Sequence, residues 1–562
     1  MTTPNDLAAG FAEHVQRWAA NRGASIDALA VLKVAAGRAS LATAEGHVCI
    51  PLAAIASELE GKSADALREL LLASGMAGMT QGEPLPLVLD DANRLYLRRY
   101  FDYERRLAEN LVRRAALGAA PPAPGAKPDW QKHAVALAMS RRLTVISGGP
   151  GTGKTTTVAA LLERILQENP QARIALAAPT GKAAARMLDT LRERAASLSP
   201  LVRERLPSES HTIHRLLGVT PQAGRFRHDA NNPLPLDALV VDEASMLDLA
   251  LAARLVEAVP GGARLVFLGD KDQLAAVEVG SVFAELSARE GSPLAASVVW
   301  FTESYRFAAD SGIGRLAADI NAGEPDRALD WMKHGADESV TWIDDAGAEL
   351  MPDTRKRILE GYAPYLAALR AGVDDKAAVF KAFARFRLLS AVRDTPRGVR
   401  EMNRMVERHA RAQLDHPLDP GGRSPWYPGR PVMVMRNDYM LRLFNGDIGI
   451  CLPDEDGKLA VWFPGASDAW RAIAPNRLPE HEDAWASTVH KAQGSEFDTF
   501  MCVLPETAGP VMVRELLYTA VTRARQRVTL VGGAEVFRAA CLQQTERHAG
   551  LIERMREALG SE

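Results

Sequence analysis

Cysteine is scarce: Cys49, Cys451, Cys502 and Cys541 are the only four in 562 residues, far apart and without a C-x-x-C pair. That spacing excludes a disulfide framework and a paired-cysteine zinc site, and it fits a reducing cytosol. No window approaches about 18 uninterrupted apolar residues, so no membrane span is expected. The opening stretch MTTPNDLAAGFAEHVQRW carries acidic groups and no long apolar centre, unlike a signal peptide. Charge of one sign is missing too. With a net charge of -3, any polyanion partner must be met by a local basic groove offset by acidic surface elsewhere. Solenoid repeats and extended low-complexity tracts are absent.

What is present is enough to build several cores: 47% of residues are apolar and 24% charged. The length fits roughly three or four domains of about 150 residues each. Residues 1–117 read as helical, with "IDALAVLKVAAGRASLATAEG" and "SADALRELLLASGMAG" placing apolar residues at i, i+3 and i+4. They hold no chemical motif and read as a packing or docking module. "GAAPPAPGAKP" (118–128) has four prolines and no apolar periodicity, as a linker does. Short apolar strands then alternate with helices: "LTVIS", "ARIALAA", "LDALVVD" and "ARLVFLGD". That alternation implies a parallel α/β sheet with its ligand at the strands' C-terminal ends. A second α/β region runs over 309–562, interrupted at about 430–480 by short strands ("RPVMVMRN", "GDIGICL", "KLAVWF", "RAIA") that point to a small β-barrel insert.

The densest chemistry is "VISGGPGTGKTTTVAALL", residues 145–162, where a strand enters a glycine-rich turn and then a helix. It fits G-x-x-x-x-G-K-[ST] over Gly148–Thr155. Gly148, Gly149, Pro150, Gly151, Thr152 and Gly153 let backbone N–H groups approach phosphates, and the helix presents its positive end. Lys154 is expected on the β and γ phosphates of ATP, Thr155 on Mg²⁺, and Thr156 beside them. The acids of "LDALVVDEAS" follow 88 residues after Lys154. Asp242 suits the Mg²⁺ shell, and Glu243 suits orienting and deprotonating an attacking water. Gln273 in "GDKDQL" can report on the γ-phosphate, since a neutral amide can orient water or a phosphate oxygen; taken alone it reads as a surface glutamine. Arg306 in "TESYRF" and Arg523 in "TAVTRARQR" are candidates for stabilising transition-state charge from outside the phosphate loop's own domain. Either arginine, taken alone, reads equally well as a surface salt bridge.

The order and spacing of these elements resemble the superfamily 1 helicases, and within them the RecD branch, over residues 128–530. Gln131 in "DWQKHAVALAM" matches the glutamine that reads adenine. "SGGPGTGKT" matches motif I, "APTGKAAARM" motif Ia, "VVDEASMLD" motif II and "GDKDQLAAVEVGSVF" motif III. "ESYRF" supplies a motif IV arginine, "WASTVHKAQGSEFD" is motif V and "YTAVTRAR" motif VI. The resemblance implies two RecA-like P-loop lobes, 118–308 and 309–562, with ATP and Mg²⁺ in the cleft between them and Glu496 among the nucleotide contacts. It further implies an SH3-like insert and 5′→3′ translocation on single-stranded DNA. Contacts to that strand are expected from Thr180, Gly181, Lys182, His211, Thr212 and His214 in the first lobe. In the second lobe they are expected from Asn437, Asn445, Thr488, His490 and Lys491, with Gly446 beside them. Sequence-independent backbone contact of this kind is what a motor needs. A histidine such as His214 is equally readable as a structural residue. "GRFRHDANNPLPLD" (224–237) stands where the branch inserts a strand-separating hairpin, here a short one.

Two kinds of protein share this core: free-standing helicases, and alpha subunits of exodeoxyribonuclease V, the RecBCD complex of break repair. "GHVCIPLAAIASELEG" and "PLVLDDANRLYLRRYFDYERRLAENL" resemble the subunit's N-terminal region, and no "GIG" hairpin pair precedes residue 117. The resemblance implies beta (RecB) and gamma (RecC) partners, with 1–117 docking on gamma, and duplex DNA ends as substrate. It also implies a bacterial, cytoplasmic, nucleoid-associated protein and no nuclease centre in this chain. A kinase or GTPase would share the phosphate loop but has no need of motifs V and VI. A non-catalytic scaffold would have no need of the charged set together.

Overall fold

The computed structural model describes every residue except 1–2, 60, 80–84, 120–128, 196–197, 221–223, 307–310, 416–423, 439, 466–468 and 561–562. Most of the expected linker at 118–128 therefore lies outside the described residues.

Six parallel strands form the first lobe, in the order Val298–Phe301, Leu143–Gly148, Arg264–Gly269, Ala238–Val241, Ile174–Ala178, His211–Thr212. The four strands expected here are all present. Their continuous apolar runs follow from burial on both faces. Alternate side chains serve different cores: Val145, Leu239 and Phe267 face one, and Ile146, Val240 and Leu268 the other. Helices Trp130–Ser140 and Lys154–Glu168 cover the second face.

The first face is covered by helix Arg98–Ala116, whose Phe101, Leu107 and Leu111 share a core with Leu143 and Val145. A division at residue 117 therefore cuts through a continuous core. Before it, Pro4–Asn21, Ile26–Ala44 and Ala64–Ala73 are helices, each started by a hydroxyl cap (Thr3, Ser25, Ser63) that accepts an otherwise unpaired backbone N–H. The helical reading of this region missed a small sheet of Cys49–Pro51, Arg94–Leu97, Leu87–Leu89 and Ala77–Gly78. Its strands are two to four residues long, too short for a period of two to stand out.

Five parallel strands form the second lobe, in the order Val340–Asp344, Ala524–Gly532, Phe497–Val503, Phe386–Ser390, Ala486–Thr488. The insert is an antiparallel sheet of Trp470–Ile473, Leu459–Pro464, Ile448–Pro453, Pro431–Val434 and His481–Asp483, with its own core around Val432, Cys451, Val461 and Phe463. The last helix, Leu551–Gly560, leaves the second lobe altogether. Leu551 and Met555 join the first-lobe core, Arg94 pairs with Glu553 at 3.0 Å, and the Gly550 N–H donates to buried Glu104 at 2.7 Å.

Residues 224–237 carry no strand ladder. A single bridge joins Val219 to Phe226, Asp229 accepts from the N–H groups of Asn231 and Asn232, and Leu234 and Leu236 are buried in the lobe. No helix among the described residues is long and apolar enough to cross a membrane.

Candidate functional site

Strand Leu143–Gly148 delivers the phosphate loop to the C-terminal edge of the first sheet. The loop turns through Gly151 and Gly153, at φ +75° and +86°, a region costly for any residue with a Cβ. The Lys154 ammonium donates to the carbonyls of Gly148 and Gly149, at 2.5 and 3.0 Å, and so lies along the loop's mouth. A cleft of about 1130 Å³ opens there, lined from both lobes. It gathers Gln131, Pro150–Thr156, Asp242, Glu243, Gln273, Arg306, Glu496 and Arg523, which are most of the residues expected at the nucleotide.

Asp242 and Glu243 stand at the end of the buried strand Ala238–Val241. Burial, then the neighbouring Glu243, push the Asp242 carboxyl up to about 6. Asp242 also accepts the Glu243 N–H at 2.8 Å, and Glu243 is held at φ +51°, strained for a side-chain-bearing residue. Strain of this kind fixes one carboxylate relative to the other. A divalent cation suits the donor set: the Thr155 hydroxyl and the Asp242 carboxylate are hard oxygen ligands, and positive charge would relieve the crowded acids.

Gln273 is almost fully buried, and its amide donates to Asp270 at 3.0 Å. Asp270, whose carboxyl burial pushes up, also accepts from Tyr518 of the second lobe at 3.1 Å. The Leu274 N–H donates to the Thr519 hydroxyl at 2.9 Å, and the Gln493 amide donates to the Leu274 carbonyl at 3.2 Å. The Gln273 loop is thus tied to the second lobe by three hydrogen bonds. Sequence reasoning found Gln273 and missed Asp270 and Tyr518, although both stand inside quoted motifs.

The two arginines reach the cleft differently from the expectation that both come from outside the phosphate loop's domain. Arg523 does come from the second lobe, buried and donating to the carbonyls of Thr519 and Ser495. Arg306 instead follows the first-lobe strand Val298–Phe301 and lies against the loop. The Tyr305 N–H donates to the Gly151 carbonyl at 2.8 Å, and the Ser304 hydroxyl to the Pro150 carbonyl at 3.0 Å. A Cβ placed on Gly151 would lie 2.2 Å from the Arg306 Cβ. Burial pulls the Arg306 guanidinium down while Glu496 opposes it. Burial opposes ionisation of Glu496, but Arg186 and Arg306 outweigh it and hold its carboxyl at about 2.

Gln131 sits over Gly153, where a Cβ would lie 2.1 Å from its amide nitrogen. Tyr305, 72% exposed, stands beside the same glycine and offers a flat face next to the Gln131 amide. A planar heterocycle fits such a pair. Tyr305 was not singled out from sequence, because an aromatic beside an arginine carries no signal alone.

The expected DNA contacts fall into three groups. Thr180 lies at a strand end with its hydroxyl accepting the Ala183 N–H at 3.2 Å, and His211 and Thr212 are on the adjoining strand, since Ala178 pairs with Thr212. Thr212 caps helix Ile213–Leu217, and His214 packs edge-on to Phe226. Asn437 accepts the Asn445 N–H at 2.8 Å, shaping the insert's turn, while Gly446 takes φ +91°. Phe444 of that turn packs near Gly181, bringing the insert onto the first lobe. Ser390 pairs with Thr488, placing Thr488, His490 and Lys491 at the corresponding edge of the second sheet. Two lysines are committed elsewhere. Lys182 lines the nucleotide cleft, with burial pushing its ammonium down to about 8, and Lys491 is paired with Glu482 at 2.5 Å.

The AAA domain family matches residues 131–279, and the UvrD-like helicase C-terminal domain matches residues 483–531. The RecBCD enzyme subunit RecD of Mycolicibacterium smegmatis is 38% identical over 553 residues, 94% of each chain. The ATP-dependent RecD2 DNA helicase of Deinococcus radiodurans is 34% identical, over 82% of this chain and 59% of that one. A solved structure of Pif1 helicases unwinding forked DNA overlays with a TM-score of 0.42 at 17% identity, covering 77% of this chain and 98% of that one. Similarity to RecD subunits along nearly the whole length, with both helicase domains matched, makes the chain a member of the RecD family of RecBCD enzyme subunits, within the superfamily 1 helicases.

Proposed function

We propose that this chain is the ATP-driven 5′→3′ helicase subunit of a RecBCD-type helicase–nuclease, unwinding duplex DNA ends in break repair and recombination. The observation that carries the reading is the single cleft in which Lys154, Asp242, Glu243 and Gln273 of one lobe meet Arg523 of the other. The similarity to RecD subunits extends through the N-terminal region, whereas the chain spans only 59% of the RecD2 helicase, so the complex subunit is favoured over a free-standing helicase.

The residues divide the work. The loop amides and Lys154 bind the β and γ phosphates; Gln131 and Tyr305 hold the adenine. Thr155 and Asp242 would hold Mg²⁺, which supplies charge neutralisation at the phosphates. Glu243 takes the proton of the attacking water, and Gln273 orients that water or a phosphate oxygen. Arg306 and Arg523 offset charge as it builds on the transferred phosphoryl group. Because Gln273 is linked through Asp270 to Tyr518, phosphate loss alters a contact between lobes. Opening and closing then alternate the grip of the Thr180, His211, Thr212 and His214 edge with that of Thr488 and His490 on a DNA strand.

Gamma and beta subunits complete the enzyme, in the bacterial cytoplasm at the nucleoid. The gamma subunit docks on the N-terminal helices, where Leu7, Trp18 and Ile26 are exposed. Removing residues 1–117 would open the first-lobe core, so docking is tested by Trp18→Asp with Ile26→Asp, which should abolish co-purification of gamma and spare ATP hydrolysis. For the motor, Lys154→Gln in the assembled complex should abolish hydrolysis by this subunit and unwinding from a 5′ overhang. Undiminished unwinding by this subunit would refute the motor reading.

A further inference from the structure

Arg186 lies in the cleft at the second turn of helix Gly181–Ala195 and forms an ion pair with Glu496 of the opposite lobe. Only 6% of the Glu496 side chain is exposed. The same carboxylate holds Arg306 at 2.8 Å and Arg525 at 3.1 Å. Three guanidiniums therefore share two oxygens, and moving any one of them redistributes the hydrogen bonds of the others. An exposed arginine–carboxylate pair contributes little, but a buried carboxylate depends strongly on its partners.

The position of Arg186 along its helix gives the ion pair a direction. Thr180 and Lys182 begin that helix, and Arg186 stands one turn beyond Lys182 on the same side. Glu496 is set just as firmly against it. At Gly494, two residues earlier, an added Cβ would lie 3.4 Å from the Ala183 Cβ and 3.7 Å from the Thr180 hydroxyl. The loop that carries Glu496 thus rests on the first turn of the helix that carries Arg186. A shift of that turn against a bound strand moves Arg186 and Glu496 together, and Glu496 sets where the Arg306 guanidinium points beside the phosphate loop.

We propose that Arg186 is a positioning residue for ATP hydrolysis, coupling strand binding at Thr180 and the N-terminal turn of its helix to Arg306 through Glu496. The proposal rests on the ATPase reading above. It assigns Arg186 no contact with the reacting atoms. Its work is to make the placement of Arg306 depend on whether the first turn of its helix is engaged.

The test uses the full chain and steady-state ATP hydrolysis with and without saturating oligothymidylate. Arg186→Gln should lower the stimulated kcat about tenfold while the KM for ATP moves less than about threefold. Arg186→Lys, which keeps a charge for Glu496, should recover most of the loss, which a simple packing role would not predict. Glu496→Gln should reduce the strand stimulation in the same direction, and the double variant should cost no more than the worse single one, as expected for residues acting as a unit. If Arg186→Gln fails to fold, as read by thermal melting, the Lys variant and Glu496→Gln still decide. A stimulated rate within about twofold of wild type for Arg186→Gln, or equal impairment by Gln and Lys, overturns the coupling. Lys154→Gln is assayed alongside: if wild type shows no Lys154-dependent hydrolysis, the ATPase reading falls and the coupling with it. Intact hydrolysis that ignores Arg186 overturns the coupling alone.

Discussion

Gly151→Ala tests whether the phosphate loop and Arg306 are one mechanical unit. Gly151 is held at φ +75°, and the new methyl would lie 2.2 Å from the Arg306 Cβ and 3.0 Å from the Arg306 nitrogen. The left-handed backbone alone costs about 1–2 kcal/mol for alanine. Reaching ordinary contact, about 3.4 Å, requires the two segments to part by more than about 1 Å. The clash involves backbone and Cβ atoms, so no side-chain rotation relieves it. A displacement of that size at a reacting centre lowers a rate about a hundredfold, or about 2.7 kcal/mol of transition-state stabilisation. Strand-stimulated ATP hydrolysis at saturating nucleotide measures it, and thermal melting monitors folding. Gly261→Ala is the control, because nothing lies within 4 Å of its added Cβ and its φ is ordinary. A Gly151→Ala kcat within about threefold of wild type would refute the argument that the loop and Arg306 are sterically joined.

Tyr305→Ala should raise the KM for ATP with little change in kcat, and Tyr305→Phe should behave as wild type, because the stacking face is what binds; ATP titrations of the rate decide. Arg397→Met should destabilise the second lobe by about 3–5 kcal/mol in denaturant unfolding, since it strands the buried Asp345 that Arg397 pairs with at 2.8 Å. Burial pushes the Glu104 carboxyl up to about 7, so the folded chain keeps a proton that the unfolded chain has lost above about 4.3. The stabilisation from that proton is full below about 4.3 and is lost as pH rises towards 7, so Glu104→Gln should flatten the fall in melting temperature between pH 5 and pH 8. An unchanged pH profile would show that Glu104 is ionised in the folded chain.

Sequence by itself determined what depends on near neighbours in the chain. The four quoted strands of the first lobe were legible because an apolar run that ends in a polar turn is a local signal, and so were the phosphate loop, Asp242 and Glu243. The order of the helicase motifs was legible for the same reason. Tertiary structure decided what depends on which surfaces meet. The ion pairs of Glu496 with Arg186 and Arg306, and the bond from Tyr518 to Asp270, exist only because two lobes close on one another. Lys182 and Lys491 look like free phosphate ligands in the sequence, but Lys182 is drawn into the cleft and Lys491 pairs with Glu482 of the insert in its own lobe. The return of Leu551–Gly560 to the first-lobe core was equally invisible, since an amphipathic helix shows that it has an apolar face and not which core will bury it.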